Sequence, residues 1–229
     1  MKRSEVNKVI KEAIIFLQDR KFYLPSFAFW TINDWKSKGT EIKEIVNNQL
    51  GWDITDYGRG DFNKNGLIHF TIRNGNLKDL SKGGKPYCEK IMIIKEKQTI
   101  PLHHHYKKME DIINRGGGIL VIRLFNCTKN DELEQNQVKV MMDGERNYVD
   151  AGGIIELHPG DSVTLTPKHY HEFWAKKGGG KVLIGEVSSI NDDYIDNKFY
   201  EHITRFSDIE EDEKPLYLLH IDYEKYIRF

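Results

Sequence analysis

The chain is poor in several things that would each have pointed to a function. Only two cysteines, Cys88 and Cys127, occur in 229 residues, and their spacing matches no metal knuckle or redox pair, so neither a disulfide framework nor a cysteine-based zinc module is expected. A reducing cytoplasm suits two such thiols. Net charge is also lacking: Lys and Arg number 34 against 35 Asp and Glu. Without a basic field there is nothing to gather nucleic acid or an anionic membrane surface. No apolar run approaches the ~20 residues of a membrane span, and the charged Met1-Lys-Arg-Ser-Glu start is followed by no secretory core, so a soluble protein is expected. Internal repeats and low-complexity tracts are missing too. The length fits one domain with a substantial core.

Among what is present, Val6, Val9, Ile10, Ala13, Ile14 and Leu17 recur at helical intervals, and Ser4 is placed to cap the helix they define. Phe27-Ala-Phe-Trp30 reads as an aromatic packing segment. Thr40 opens a second helical pattern, with Ile42, Ile45 and Val46 as its apolar stripe and Gly51 available as its C-terminal cap. From Gly51 on the period becomes that of strands. Asp61 to Gly66 resembles the start of a calcium loop, but Ile72 stands at the twelfth position, where a bidentate Glu is needed, so it reads as a turn. A strand follows over 67–73, and 77–86 reads as a charged loop.

Short β-rich runs then succeed one another at 87–95, 98–105, 119–126, 138–142, 153–157, 162–166, 171–175 and 181–187. Gly116-Gly-Gly, Asp143-Gly, Pro159-Gly-Asp and Gly178-Gly-Gly divide them. Evenly spaced short strands with no helical pattern between them predict an antiparallel sandwich or barrel. In the tail, Leu216-Tyr-Leu-Leu-His-Ile reads as one further apolar strand. No boundary splits the chain, which divides into a helical region (1–50), a β-barrel core (51–190) and a C-terminal extension (191–229) of a single domain.

Chemistry concentrates in Pro101 to Gly118. His103 and His105 share one face of a strand, whereas His104 points the other way and drops out of the set. Glu110 follows in the next turn. Two imidazoles and a carboxylate make most of a metal site, and Pro167-Lys-His-Tyr-His171 can supply the last ligand through His171. His169, on the same face as His171, and His158 are the competing candidates.

This spacing resembles the two signature motifs of the cupin superfamily: H-x-H, four residues, Glu, six residues and Gly match His103, His105, Glu110 and Gly117, and Pro167 to His171 matches the second. Lys97, Pro167 and Ala175 depart from the usual pattern at turn positions, and none of them removes a ligand. Longer strings, Lys85-Pro-Tyr-Cys-Glu-Lys-Ile-Met92, Glu110-Asp-Ile-Ile-Asn-Arg-Gly-Gly-Gly118, His171-Glu-Phe-Trp174 and Gly185 to Asp193, resemble those of the D-lyxose isomerases, a cupin family. Leu24-Pro-Ser-Phe-Ala28 and Gly51-Trp-Asp extend the likeness to most of the chain. The resemblance implies an all-β cupin jelly-roll barrel carrying N-terminal helices and a C-terminal extension. It also implies a homodimer and a divalent cofactor, commonly Mn²⁺. The expected activity is the interconversion of D-lyxose with D-xylulose, and of D-mannose with D-fructose.

An aldose–ketose isomerase needs a base for a weakly acidic C–H proton and donors for sugar hydroxyls. Glu186 and Asp193 are carboxylates that the β-pattern brings to the site, and Glu110 joins them if its second oxygen is free. Lys90 either turns inward to meet a substrate oxygen or a carboxylate, or snorkels outward. Lys108, Asp193 and Arg205 are expected near the sugar on the strength of the resemblance, and Trp174 either walls the pocket or packs the core. Two rival readings share the ligand set: an Fe²⁺ dioxygenase of the cupin type, and a sugar-binding cupin without catalysis.

Overall fold

The computed structural model describes residues 1–229. Thirteen strands form two antiparallel sheets. The larger takes β1 (Gly51–Thr55), β2 (Leu67–Arg73), β3 (Tyr87–Ile94), β12 (Val182–Ser189), β5 (Glu110–Gly117), β10 (Ser162–Leu165), β7 (Val138–Met142) and β8 (Glu145–Val149), in that spatial order. The smaller is ordered β13 (Asn197–Phe199), β4 (Thr99–His105), β11 (His169–Ala175), β6 (Leu120–Asn126) and β9 (Ile154–Leu157). Between them lies a cluster that includes Ile94, Ile112, Ile122, Leu124, Leu157, Val163 and Ile184, the alternate residues of strands from both sheets. This period-two alternation fixes the register, because a one-residue slip would turn every inner side chain outward.

The outer face of the large sheet is covered by α1 (Arg3–Asp19). Val6, Val9, Ile10, Ala13 and Leu17 meet Trp52, Ile54, Phe70, Ile91 and Ile93 there. Both faces of β1 to β3 are therefore buried, which explains why these strands read as near-continuous apolar runs. The aromatic segment packs as expected: Phe27 stacks on Phe70 with ring centroids 5.3 Å apart.

Several local expectations differ from the structure. Lys2, not Ser4, stands at the cap of α1, while the Ser4 hydroxyl donates to Asp212. The segment from Thr40 is a 3-10 turn followed by a helix over Lys43–Asn47, and Gly51 opens β1 at φ 111° instead of ending that helix. Glu110 does not sit in a turn; it begins β5, whose Gly116 and Gly117 take positive φ and close the strand. Leu216 to Ile221 is no strand. Leu219 makes a single parallel bridge to Trp52, and the Asp222 carboxylate accepts from the Leu219 N–H, turning the chain into a 3-10 turn over His220–Asp222.

Candidate active site

The inner faces of the two sheets bring the polar residues together. β4 and β11 pair with His103 opposite His171, and His105 lies two residues along the same face. From the large sheet come Lys90 opposite Glu186, and Glu110, whose strand pairs with β12. His103, His105, Lys90, Lys108, Glu110, His171, Glu186 and Asp193 are all buried. They line one cavity with Tyr57, His69, Phe173, Asn197, Phe199 and Arg205.

The three imidazoles offer nitrogens within 4.8 Å of one another. Glu110 Oε1 lies 3.2 Å from His171 Nε2 and 3.4 Å from His105 Nε2. Neither Glu110 Oε1 nor His171 Nε2 makes a hydrogen bond, although both are buried. Buried polar atoms without partners are costly, and four lone-pair donors converging on one point fit a divalent cation. The outer nitrogens support that orientation: His103 Nδ1 meets the Pro101 carbonyl at 2.7 Å and His171 Nδ1 the His169 carbonyl at 3.0 Å. Such backbone acceptors fix the tautomer that leaves Nε2 facing inward. His169 and His158 stay out; the His169 ring lies against Thr166, and the His158 N–H is tied to Asp161 in a turn.

Charge in the cavity is paired. Lys108 Nζ lies 2.7 Å from Glu110 Oε2 and 2.9 Å from Glu186 Oε1, so the second oxygen of Glu110 is not free. Ser188 Oγ also donates to Glu186 Oε1, at 3.1 Å. Lys90 turns inward, 3.8 Å from Glu186 and 3.6 Å from Asp193. Arg205 Nη2 stands 2.9 Å from Asp193 and 2.8 Å from Asp53, and its Nη1 is buried without a partner. Burial opposes ionisation of Glu110 and Glu186, yet Lys108 prevails in both and holds them below the usual carboxylate range, with Lys90 helping for Glu186. Burial likewise opposes Asp53 and Asp193, and Arg205 keeps each well below its ordinary value.

Burial lowers the histidines: His103 falls well below 6.5, and His171 drops to about 4 against the pull of Glu110. In metal-free protein the unfolded chain takes up these protons near pH 6.5, whereas folded His171 refuses one until about pH 4. The unfolded state binds more protons in that window, so stability is full above it and falls as the pH drops through it. The Tm of metal-free protein is therefore expected to be lower at about pH 5 than at about pH 7.5, with the difference reduced in His171→Gln. A Tm that does not change over this range would show that the imidazoles are not held neutral.

Asp53, His69 and Tyr57 were not singled out in the sequence. Asp53 pairs across strands with His69, and His69 Nε2 lies 3.1 Å from Asp53 Oδ2. Their only signal was polarity at inward positions of otherwise apolar strands. Trp174 neither walls the pocket nor packs the core. It is half-buried on the outer face beneath Arg123, 5.4 Å from the ring centroid, and Phe173 faces the site instead.

Two antiparallel sheets with the polar residues gathered between them give the chain a jelly-roll fold of the cupin type. The chain belongs, more narrowly, to the D-lyxose isomerase family, whose model matches residues 1–223, and is a sugar isomerase. It is 44% identical over 232 residues to the D-lyxose/D-mannose isomerase of Serratia proteamaculans, covering 99% of this chain and 100% of that one. Identity to the enzyme of the same name from Escherichia coli O157:H7 is 40% over 227 residues, again 99% and 100% of the two chains. The fold is similar to that of Cellulomonas parahominis L-ribose isomerase crystallised with L-ribose, at a TM-score of 0.61 and 13% identity over 92% of this chain and 98% of that one.

Proposed function

We propose that the protein is a divalent-metal-dependent aldose–ketose isomerase that interconverts D-lyxose with D-xylulose, and D-mannose with D-fructose, through a cis-enediolate. The observation that carries this reading is the unpartnered Glu110 Oε1 facing His105 and His171. The names of the two full-length relatives support the choice of sugars.

His103, His105, Glu110 and His171 would hold the ion, taken to be Mn²⁺. When bound it would polarise the carbonyl and adjacent hydroxyl of the sugar and stabilise the negative charge of the enediolate. Glu186 is the base in this reading, carrying the proton between C1 and C2. Its Oε1 is occupied by Lys108 and Ser188, and no hydrogen bond engages Oε2, which is left to the substrate. The ammonium groups of Lys90 and Lys108 keep Glu186 ionised and ready to accept. Glu110 has both oxygens committed, one to the histidine cluster and one to Lys108, which favours a ligand role over proton transfer. Lys90, Lys108, Asp193 and Arg205 supply polar contacts for sugar hydroxyls, with the unpaired Nη1 of Arg205 as a spare donor. The two free thiols fit a reducing cytoplasm, and the working assembly is taken to be a homodimer.

Metal-stripped protein is expected to convert neither D-lyxose nor D-mannose, and added Mn²⁺ to restore both reactions, as read by chromatography of the ketose product. Unchanged turnover after chelation would sink the reading. Following dissolved oxygen in the same reaction separates it from a dioxygenase. A sugar-induced rise in Tm with no product under any divalent ion would mark a binding protein instead.

A further inference from the structure

The strand that faces the cavity with His103 and His105 presents His104 to the opposite side, and a second cluster of donors meets it there. His104 is fully buried and neither ring nitrogen makes a hydrogen bond. Its Nε2 lies 3.3 Å from Asp131 Oδ1, and Cys127 Sγ lies 3.8 Å from that same oxygen. The three donor atoms are all within 4.8 Å of one another.

We propose that His104, Cys127 and Asp131 form a second divalent-metal site, behind the cavity and independent of the isomerase reading. One imidazole nitrogen, one thiolate and one carboxylate oxygen are the donors of a borderline-soft ion such as Zn²⁺ or Co²⁺. The separations agree with that chemistry. Tetrahedral bonds of about 2.0 Å to nitrogen and oxygen set an N···O edge of about 3.3 Å, and a sulfur bond of about 2.3 Å sets an S···O edge of about 3.5 Å. The Tyr106 hydroxyl donates to Asp131 Oδ2 at 2.8 Å, so the carboxylate is held with Oδ1 turned toward the cluster. Lys168 Nζ, 3.4 Å from Oδ1, already places a positive charge beside it. Its side chain is 40% exposed and can swing into solvent when an ion takes that place. The Cys127 thiol, which now donates to the Thr128 carbonyl at 3.2 Å, would lose its proton to solvent on binding. Water completes the fourth position. The bound ion would pin the loop of Cys127 and Asp131 to the back of the strand that carries the inner histidines.

Cobalt distinguishes this site from the inner one, because only the outer site contains a thiolate. Titrating metal-stripped full-length protein with Co²⁺ is expected to produce a near-ultraviolet thiolate-to-cobalt charge-transfer band that is complete by two equivalents, since the inner site takes up one of them. The band should persist in Cys88→Ser and in His171→Ala, vanish in Cys127→Ser, and need at least tenfold more Co²⁺ in Asp131→Asn. Zn²⁺ should also slow maleimide labelling of Cys127 in the unmodified protein, a readout that needs no variant to fold. Absence of the band, its survival in Cys127→Ser, or labelling unaffected by Zn²⁺ would overturn the proposal.

Discussion

The His171→Ala protein is expected to lose isomerase turnover and to release its metal on dialysis. His171 stands opposite His103 in the β4–β11 pairing and is the donor closest to Glu110 Oε1, at 3.2 Å. Removing it leaves two imidazoles from one strand and a carboxylate from the other sheet, with no donor on β11 to complete the set. Loss of an outer partner of a metal ligand typically costs roughly 10–100-fold in affinity, and loss of the ligand itself should exceed that. Folding is expected to survive, because the neutral ring is exchanged for a smaller apolar group and Glu110 keeps its Lys108 partner. Metal content after dialysis and turnover under excess Mn²⁺ are the two measurements. A variant that retained stoichiometric metal would show that His171 is not a ligand. His169→Ala is the matched control and should behave as the unmodified protein, since its ring lies against Thr166 outside the cluster.

Glu186→Gln separates proton transfer from metal binding. The substitution keeps shape and a carbonyl acceptor for Lys108 and Ser188 but removes the basic oxygen. Turnover is expected to fall roughly 10²–10⁴-fold, the usual worth of a positioned general base, with KM and metal content nearly unchanged. Some stability should be lost as well, because Lys90 and Lys108 remain buried with one fewer carboxylate between them. A drop in kcat of less than about tenfold would reassign the proton to another group, with Asp193 the next carboxylate in the cavity.

Strand alternation made much of this legible in the sequence. It separated His104 from His103 and His105, and the same rule places His171 and Phe173 on one face; applied one residue further, it would have turned Trp174 outward. Lys90 could not be decided from pattern, because inward and snorkelling lysines occupy identical positions in a strand. The cross-strand partner Glu186, set by the β3–β12 register, decides it. β5 was hidden because its polar first residue and terminal glycines resemble a turn, while its paired neighbours are remote in sequence. The tail departs from its strand-like pattern for a related reason. Leu216 to Ile221 is apolar because it is buried beside β1, and a single capping contact from Asp222 bends it away from strand geometry. Asp53 escaped notice because its importance lies in Arg205, 152 residues later in the numbering.

The dependence of Asp53 and Asp193 on Arg205 also bears on how the protein is made. A nascent chain that has emerged from the ribosome only to residue 190 already carries the three inner histidines, Glu110, Glu186 and both lysines. It lacks the guanidinium that neutralises Asp53, which leaves that buried carboxylate only the His69 imidazole beside it, and a buried ion short of its counter-charge costs several kcal/mol by rough measure. β1, the edge strand of the larger sheet, is therefore expected to settle only when the last part of the chain arrives, after the strands that carry the inner histidines have paired.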